Sequence, residues 1–386
     1  METLPHLNDL YVASEGLLQI ILKKNLKEPL RAAQLPGFLE KWDKYVKARR
    51  ALKSWLDGIK GPVFAAIDIT YKCNLKCPYC YVSAPLRKSA PELPTEIVLR
   101  AIDELAKLET LGICLCGGEP VSYTEFFRII EYANDAGIPV NFVTNGTLIT
   151  EEFVKKLSEL NIGSVQVSLD GSKPEIMDRL RGNGIFHRAI NSIKRLIDYG
   201  INTSVAFCAT RINIRDFPNV VELASKLGVF EVRSMYFVPE TEAHIKLAPS
   251  ESQYKELLQW IYDNIENFTI KVNFGDPTEH IVLGPYLNSV VITISAEGYI
   301  LPTPYLNFAY GHVTDGIEAL WPELREIWKQ NPVLLTVSSY LKTEKDFVKL
   351  NNVGLTRKNG RKYIDLSRIS TDQQLELSRK IRSVLI

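Results

Sequence analysis

Between residues 61 and 240, short apolar runs alternate with amphipathic stretches at a period of roughly 25–35 residues. The apolar runs at 63–70, 112–116, 140–144, 164–169, 203–210 and 231–238 predict strands. The stretches around 95–109, 122–136, 150–160, 187–199 and 216–227 predict helices. The strand runs are β-branched and nearly continuous in apolar character, as expected of a parallel sheet buried on both faces. Six strand–helix units predict an α/β fold, a partial (β/α)6 TIM-like barrel, with a doubly wound open sheet as the alternative.

The pattern differs on either side. Residues 1–60 read as helices: apolar residues fill 10–24, and Phe38, Trp42, Tyr45, Arg49, Leu52 and Leu56 share one helical stripe. Residues 21–60 hold eleven Lys or Arg against four acids, a net +7. A basic amphipathic helix can meet a membrane surface or an anionic partner, and it can equally pack on the main domain with its charges in water. From about residue 250 helices are expected at 250–268, 317–330 and 371–385. Two hairpins are expected at 290–301 and 354–366, turning at Ala296-Glu297-Gly298 and Asn359-Gly360. The organisation is therefore a helical basic N-terminal extension (1–60), a partial barrel (61–245) and an α+β C-terminal cap (246–386).

Composition narrows the class. The chain has 386 residues, 46% hydrophobic and 24% charged, which suits a globular protein. A net charge of +1 gives no case for nucleic acid. No apolar run approaches the ~18 residues of a membrane span. Six cysteines, with no secretory signal, fit free thiols in a cytoplasmic protein.

Half of those cysteines, Cys73, Cys77 and Cys80, lie in one short run, Cys-Asn-Leu-Lys-Cys-Pro-Tyr-Cys. Three thiolates can hold an iron–sulfur cluster or a metal and leave one coordination position open. A structural zinc site usually brings two ligand pairs, and no second pair follows. Three further motifs end apolar runs: Gly117-Gly118-Glu119-Pro120, Thr144-Asn145-Gly146 and Ser168-Leu169-Asp170-Gly171. Each stands at the C-terminal end of an expected strand, the end where such barrels place their chemistry.

Together, and in this order, the four motifs resemble those of the radical S-adenosylmethionine (radical SAM) superfamily. The resemblance implies a partial barrel and one [4Fe–4S] cluster held by Cys73, Cys77 and Cys80. SAM would be chelated to the open iron and cleaved by one electron to yield a 5′-deoxyadenosyl radical. It assigns SAM contacts to Tyr79 (through its backbone), Gly117, Gly118, Glu119 (to the ammonium), Asn145 and Ser168, and to Arg181 (to the carboxylate). It implies a one-electron reductant of ferredoxin or flavodoxin type. The C-terminal region resembles the SPASM/twitch extension, but Thr303 stands where a cluster cysteine is expected and no cysteine follows Cys208.

Cys114 and Cys116 lie two apart on an expected strand and so share a face. Cys116 is a candidate catalytic hydrogen donor, and its ordinary alternative is a small buried hydrophobe, as for Cys208. Asp170 is expected to cap the turn at Gly171. Tyr305, Tyr310 and His312 can reach the pocket mouth or simply pack the cap. The expected function is hydrogen abstraction from an unactivated C–H in the maturation of a peptide, natural product or cofactor precursor. Two alternatives stand beside it: modification of a lipid or other anionic amphiphile, with peripheral membrane contact through residues 1–60, and a non-catalytic SAM-binding Fe–S protein.

Overall fold

The structure is a computed structural model that describes residues 60–82, 92–235, 237–264, 267–275, 281, 291–341, 343–353 and 363–386. The expected basic helices of the N-terminal extension lie outside these residues.

Six parallel strands appear where the apolar runs predicted them: β1 (Phe64–Thr70), β2 (Gly112–Gly117), β3 (Val140–Thr144), β4 (Ile162–Ser168), β5 (Thr203–Cys208) and β6 (Glu231–Met235). Their order in the sheet is their order in the chain, each strand parallel to the next. Helices α1 (Thr95–Lys107), α2 (Phe126–Asp135), α3 (Glu151–Leu157), α4 (Pro174–Arg181), α5 (Ile185–Asp198) and α6 (Phe217–Leu227) lie between them. This is the expected partial barrel, extended at both edges. After α7 (Glu242–Ile245) and α8 (Glu251–Asn264), β7 (Lys271–Gly275) adds in parallel to β6. At the other edge β8 (Val291–Ile294) pairs in parallel with β1, and β9 (Ile300–Leu301) turns back antiparallel to β8, forming the first expected hairpin.

The helix-covered face of the sheet is apolar for a simple reason. Side chains alternate along a strand, and Ile67, Ile69, Ile113, Leu115, Phe142, Val165, Val167, Val205 and Phe207 all point into one buried core with the helices. Their neighbours Asp68, Asn141, Ser164, Gln166 and Ser204 occupy the other, inner face. The strands are therefore not apolar on both faces, as the near-continuous hydrophobic runs suggested.

The cap builds a second core. Helix α9 (Ile317–Gln330) spans both: Ile317, Trp321 and Leu324 join the barrel core, while Ile327 and Trp328 join the cap core. Helices α10 (Pro332–Tyr340), α11 (Glu344–Asn352) and α12 (Thr371–Leu385) complete the cap, with Val337, Phe347 and Ile381 between them. Of the second expected hairpin, only the far arm lies within the described residues. That arm, β11 (Ile364–Asp365), pairs in parallel with β10 (Phe308–Ala309).

Barrel and cap are joined at a helix terminus. Glu104 of α1 accepts hydrogen bonds from the backbone N–H of Ile317 and, at 3.2 Å, of Glu318 in the first turn of α9. Those N–H groups have no partner within the helix, and a carboxylate there also complements the helix dipole. Glu104→Ala should lower unfolding free energy by about 1–3 kcal/mol, the cost of orphaning buried donors, measured by chemical denaturation.

Candidate active site

The chain from Tyr71 to Val82, directly after β1, forms no helix or strand. It carries Cys73, Cys77 and Cys80, all free and half-buried. Its shape comes from what it is tied to. Gly118 N–H donates to Thr70 O at 2.7 Å, and Glu119 N–H donates to Lys72 O at 2.9 Å. A Cβ on Gly117 would stand 2.1 Å from Thr70 O, and one on Gly118 would stand 2.0 Å from Lys72 O. Gly117 also holds φ at +115°, a region that L side chains avoid. The paired glycines therefore let the end of β2 touch the base of the cysteine loop, backbone against backbone.

Glu119 is fully buried. Its carboxylate accepts from Thr144 Oγ1 at 2.7 Å, Asn145 N at 2.7 Å and Val121 N at 3.3 Å, so it ties the end of β2 to the end of β3. Asn145 continues the chain of contacts. Its Nδ2 donates to Asn74 Oδ1 at 2.8 Å and lies 4.0 Å from Cys73 Sγ. Asn74 in turn donates to Thr147 Oγ1 at 2.7 Å.

The far side of the loop is held by Asp170. This carboxylate is fully buried and accepts from the Tyr79 hydroxyl, from Arg181 Nε and, at 2.7 Å, from Cys208 N. The Arg181 guanidinium also lies over the Tyr79 ring, 5.8 Å from its centroid. Asp170 was expected to cap the turn at Gly171. Instead it joins the cysteine loop, β5 and the last residue of α4. Arg181 thus lies beside the loop, with its Nε engaged by Asp170. Ser168 ends β4 nearby, its hydroxyl without a hydrogen-bond partner among the described residues.

The cap closes over the same loop. Tyr71 Oη lies 3.0 Å from Tyr363 Oη, and Tyr81 packs edge-on against Tyr305 at 5.6 Å. Thr303 is buried, its hydroxyl accepting from Tyr305 N at 3.3 Å. Tyr310 and His312 serve the cap: Tyr310 donates to Glu323, and His312 Nε2 bonds the carbonyl of Glu297 at 2.9 Å.

Thus Cys73, Cys77, Cys80, Tyr79, Gly117, Gly118, Glu119, Asn145, Ser168 and Arg181 converge on the C-terminal ends of β1–β5. Asn74, Thr144 and Asp170 join them as supports whose partners motif reading did not show. Their signal was adjacency, since each stands inside or beside a motif. No three His, Cys, Asp or Glu side chains among the described residues converge on a point that could hold a single metal ion. A cluster asks for a different arrangement, because each thiolate binds its own iron. The donor set fits that demand: three half-buried thiols on one loop, near a buried carboxylate. Burial, then Glu119, Cys77 and Cys80, raise Cys73 to about 11, so its thiol keeps its proton in the metal-free fold. Loading a cluster must release that proton.

Residues 67–224 match the radical SAM superfamily. The PqqA peptide cyclase of Ruegeria pomeroyi is 32% identical over 287 residues, covering 70% of this chain and 74% of that protein. The chain belongs to the radical SAM superfamily. Its cofactors are accordingly those of the superfamily, a [4Fe–4S] cluster and S-adenosylmethionine. An AdoMet-dependent heme synthase of Methanosarcina barkeri is 33% identical over 207 residues, 52% of this chain; the match spans only 58% of that relative's length. The crystal structure of Streptococcus suis SuiB bound to S-adenosylmethionine shares the fold, with a TM-score of 0.59, 16% identity and coverage of 92% and 93% of the two chains.

Two outcomes follow from the buried carboxylates. Burial pushes Glu119 up from 4.5 to about 7, so the metal-free fold favours its protonated form. Stability from this group is full below pH ~4.5 and is lost as pH rises through about 7. The stability difference between wild type and Glu119→Gln should therefore move against the wild type by roughly 3 kcal/mol between pH 4.5 and 8, read by urea denaturation of the metal-free protein. Asp170→Asn should cost about 3–5 kcal/mol in the same assay, because it leaves the Arg181 charge buried without its counter-ion.

Proposed function

We propose that this radical SAM enzyme abstracts hydrogen from an unactivated C–H bond of a peptide, with a single cluster held by Cys73, Cys77 and Cys80. The observation that carries the reading is the convergence of the cysteine loop, the Gly117-Gly118 contact and the buried Glu119 at one end of a partial barrel. A peptide is favoured as substrate by the likeness to PqqA peptide cyclase, which extends into the cap.

When bound, the cluster supplies the single electron that cleaves S-adenosylmethionine to methionine and a 5′-deoxyadenosyl radical. This chain's residues do the rest. Gly117 and Gly118 bring the β2 end against the loop base and place Glu119 beside Cys73 and Asn145. Glu119, once ionised, accepts the ammonium of S-adenosylmethionine; binding that cation offsets the burial that disfavours its charge. Arg181 has two further nitrogens beyond the one given to Asp170, and these can receive the carboxylate. Ser168 and Asn145 supply polar contacts at the ribose or carboxylate. The cap, through Tyr363 and Tyr305, covers the loop and limits water at a site where a radical must survive. A one-electron reductant of ferredoxin or flavodoxin type completes the system.

The test is anaerobic reconstitution with dithionite and S-adenosylmethionine, followed by assay for 5′-deoxyadenosine. Wild type should form it, and Cys77→Ala should lose cluster absorbance and cleavage together, by at least 100-fold in rate. An intact cluster without 5′-deoxyadenosine under several reductants would leave the non-catalytic SAM-binding alternative. Peptides, cofactor precursors and anionic vesicles, offered in parallel, then report the substrate class by the consumption each stimulates.

A further inference from the structure

The inner face of the sheet carries a pair of thiols outside the cysteine loop. Cys114 and Cys116 lie on β2, in register with Ala66 and Asp68 of β1, and Cys114 is also in register with Asn141 of β3. Ile113 and Leu115, which alternate with them, are wholly buried against the helices, while both cysteines are half-buried on the inner face. The Cys116 thiol donates to Cys114 Sγ at 3.4 Å. Cys116 directly precedes Gly117-Gly118-Glu119, so it sits one residue from the backbone contact that anchors the cysteine loop.

Thiols serve as nucleophiles and metal ligands as thiolates. Here the hydrogen bond to Cys114, burial, and the neighbouring Cys114 and Asp68 all push the Cys116 thiol well up, so it keeps its proton. A protonated thiol has a different use. Its S–H bond is weaker than an aliphatic C–H bond, so a carbon radical within reach takes the hydrogen atom downhill. The cap has no cysteine to hold an auxiliary cluster that could instead take an electron from the product radical: Thr303 stands in that place, and no cysteine follows Cys208.

We propose that Cys116 is the hydrogen-atom donor that quenches the carbon radical formed on the substrate, with Cys114 as the relay thiol beside it. The proposal rests on the radical reading given above. In the first step the Cys116 S–H bond breaks and a substrate C–H bond forms, leaving a thiyl radical on Cys116. In the second the hydrogen atom of Cys114 moves across the 3.4 Å contact, restoring Cys116 and leaving the thiyl on Cys114. One electron from the low-potential reductant and one proton from water restore Cys114. The substrate loses one hydrogen atom and regains one, so it leaves with its composition unchanged. The reaction class is then inversion of a C–H stereocentre or an isomerisation, rather than an oxidative cross-link.

Two readouts test this on the cluster-loaded full-length protein. In D2O, thiol hydrogens exchange and carbon-bound hydrogens do not. With S-adenosylmethionine and dithionite but no substrate, the 5′-deoxyadenosyl radical stands in the same cavity in place of the substrate carbon radical, so 5′-deoxyadenosine from wild type should carry deuterium, and Cys116→Ala should lower that deuterium content at least fivefold. 5′-Deoxyadenosine that forms without deuterium, or with equal deuterium in Cys116→Ala, overturns the donor role alone. Absence of 5′-deoxyadenosine overturns the radical reading and the donor role with it. Loss of deuterium in Cys208→Ala rather than Cys116→Ala assigns the wrong thiol and also overturns it. The second readout needs no turnover: phenylarsine oxide, which bridges two adjacent thiols, should bind once per chain by mass spectrometry. Cys114→Ala and Cys116→Ala should each abolish that binding, and binding that survives either substitution overturns the pair.

Discussion

The buried carboxylate of Asp170 is the contact on which the site's geometry turns. The cysteine loop forms no regular structure and cannot hold three thiols in place by its own hydrogen bonds. Asp170 reaches it through the Tyr79 hydroxyl while also holding Arg181 at the end of α4 and the backbone of Cys208 on β5. Deep in the fold such a charge is tolerated only because each partner answers it with a donor. The loop therefore takes its position from rigid elements on either side of it, as precise sites generally require.

Glu119 does the corresponding work on the opposite side, and the two carboxylates differ in kind. Asp170 faces a guanidinium and is matched in charge. Glu119 is met by a hydroxyl and two backbone N–H groups, and burial outweighs their help, so its charge awaits a cation. A matched carboxylate suits support, and an unmatched one suits a ligand. That contrast supports the proposed placement of the amine end of S-adenosylmethionine on the Glu119 side of the loop, with Arg181, already partly neutralised, left for the carboxylate.

The cap contributes closure and coupling. Helix α9 carries residues of both cores, and its first turn is capped from α1 by Glu104, so cap and barrel share stability. Tyr363 and Tyr305 then bring the cap onto Tyr71 and Tyr81, which flank the three cysteines. In a chain whose cap offers no thiol for a second cluster, packing is what that region adds to the site.

The sequence by itself determined where the six barrel strands lie, the cysteine loop and the positions of the glycines and Glu119, because these depend on local periodicity and on motifs of a few residues. It foresaw that Cys114 and Cys116 share a face, since alternation along a strand is local too. It did not show that β10 and β11 pair in parallel, that β7 and β8 extend the sheet, or that Asp170 serves Tyr79 and Arg181 rather than its own turn. Nor did it show that the glycines yield to Thr70 and Lys72. Those outcomes depend on which distant groups meet once the core closes. Buried donors and acceptors must find partners wherever the fold brings them, and only the tertiary structure decides where that is.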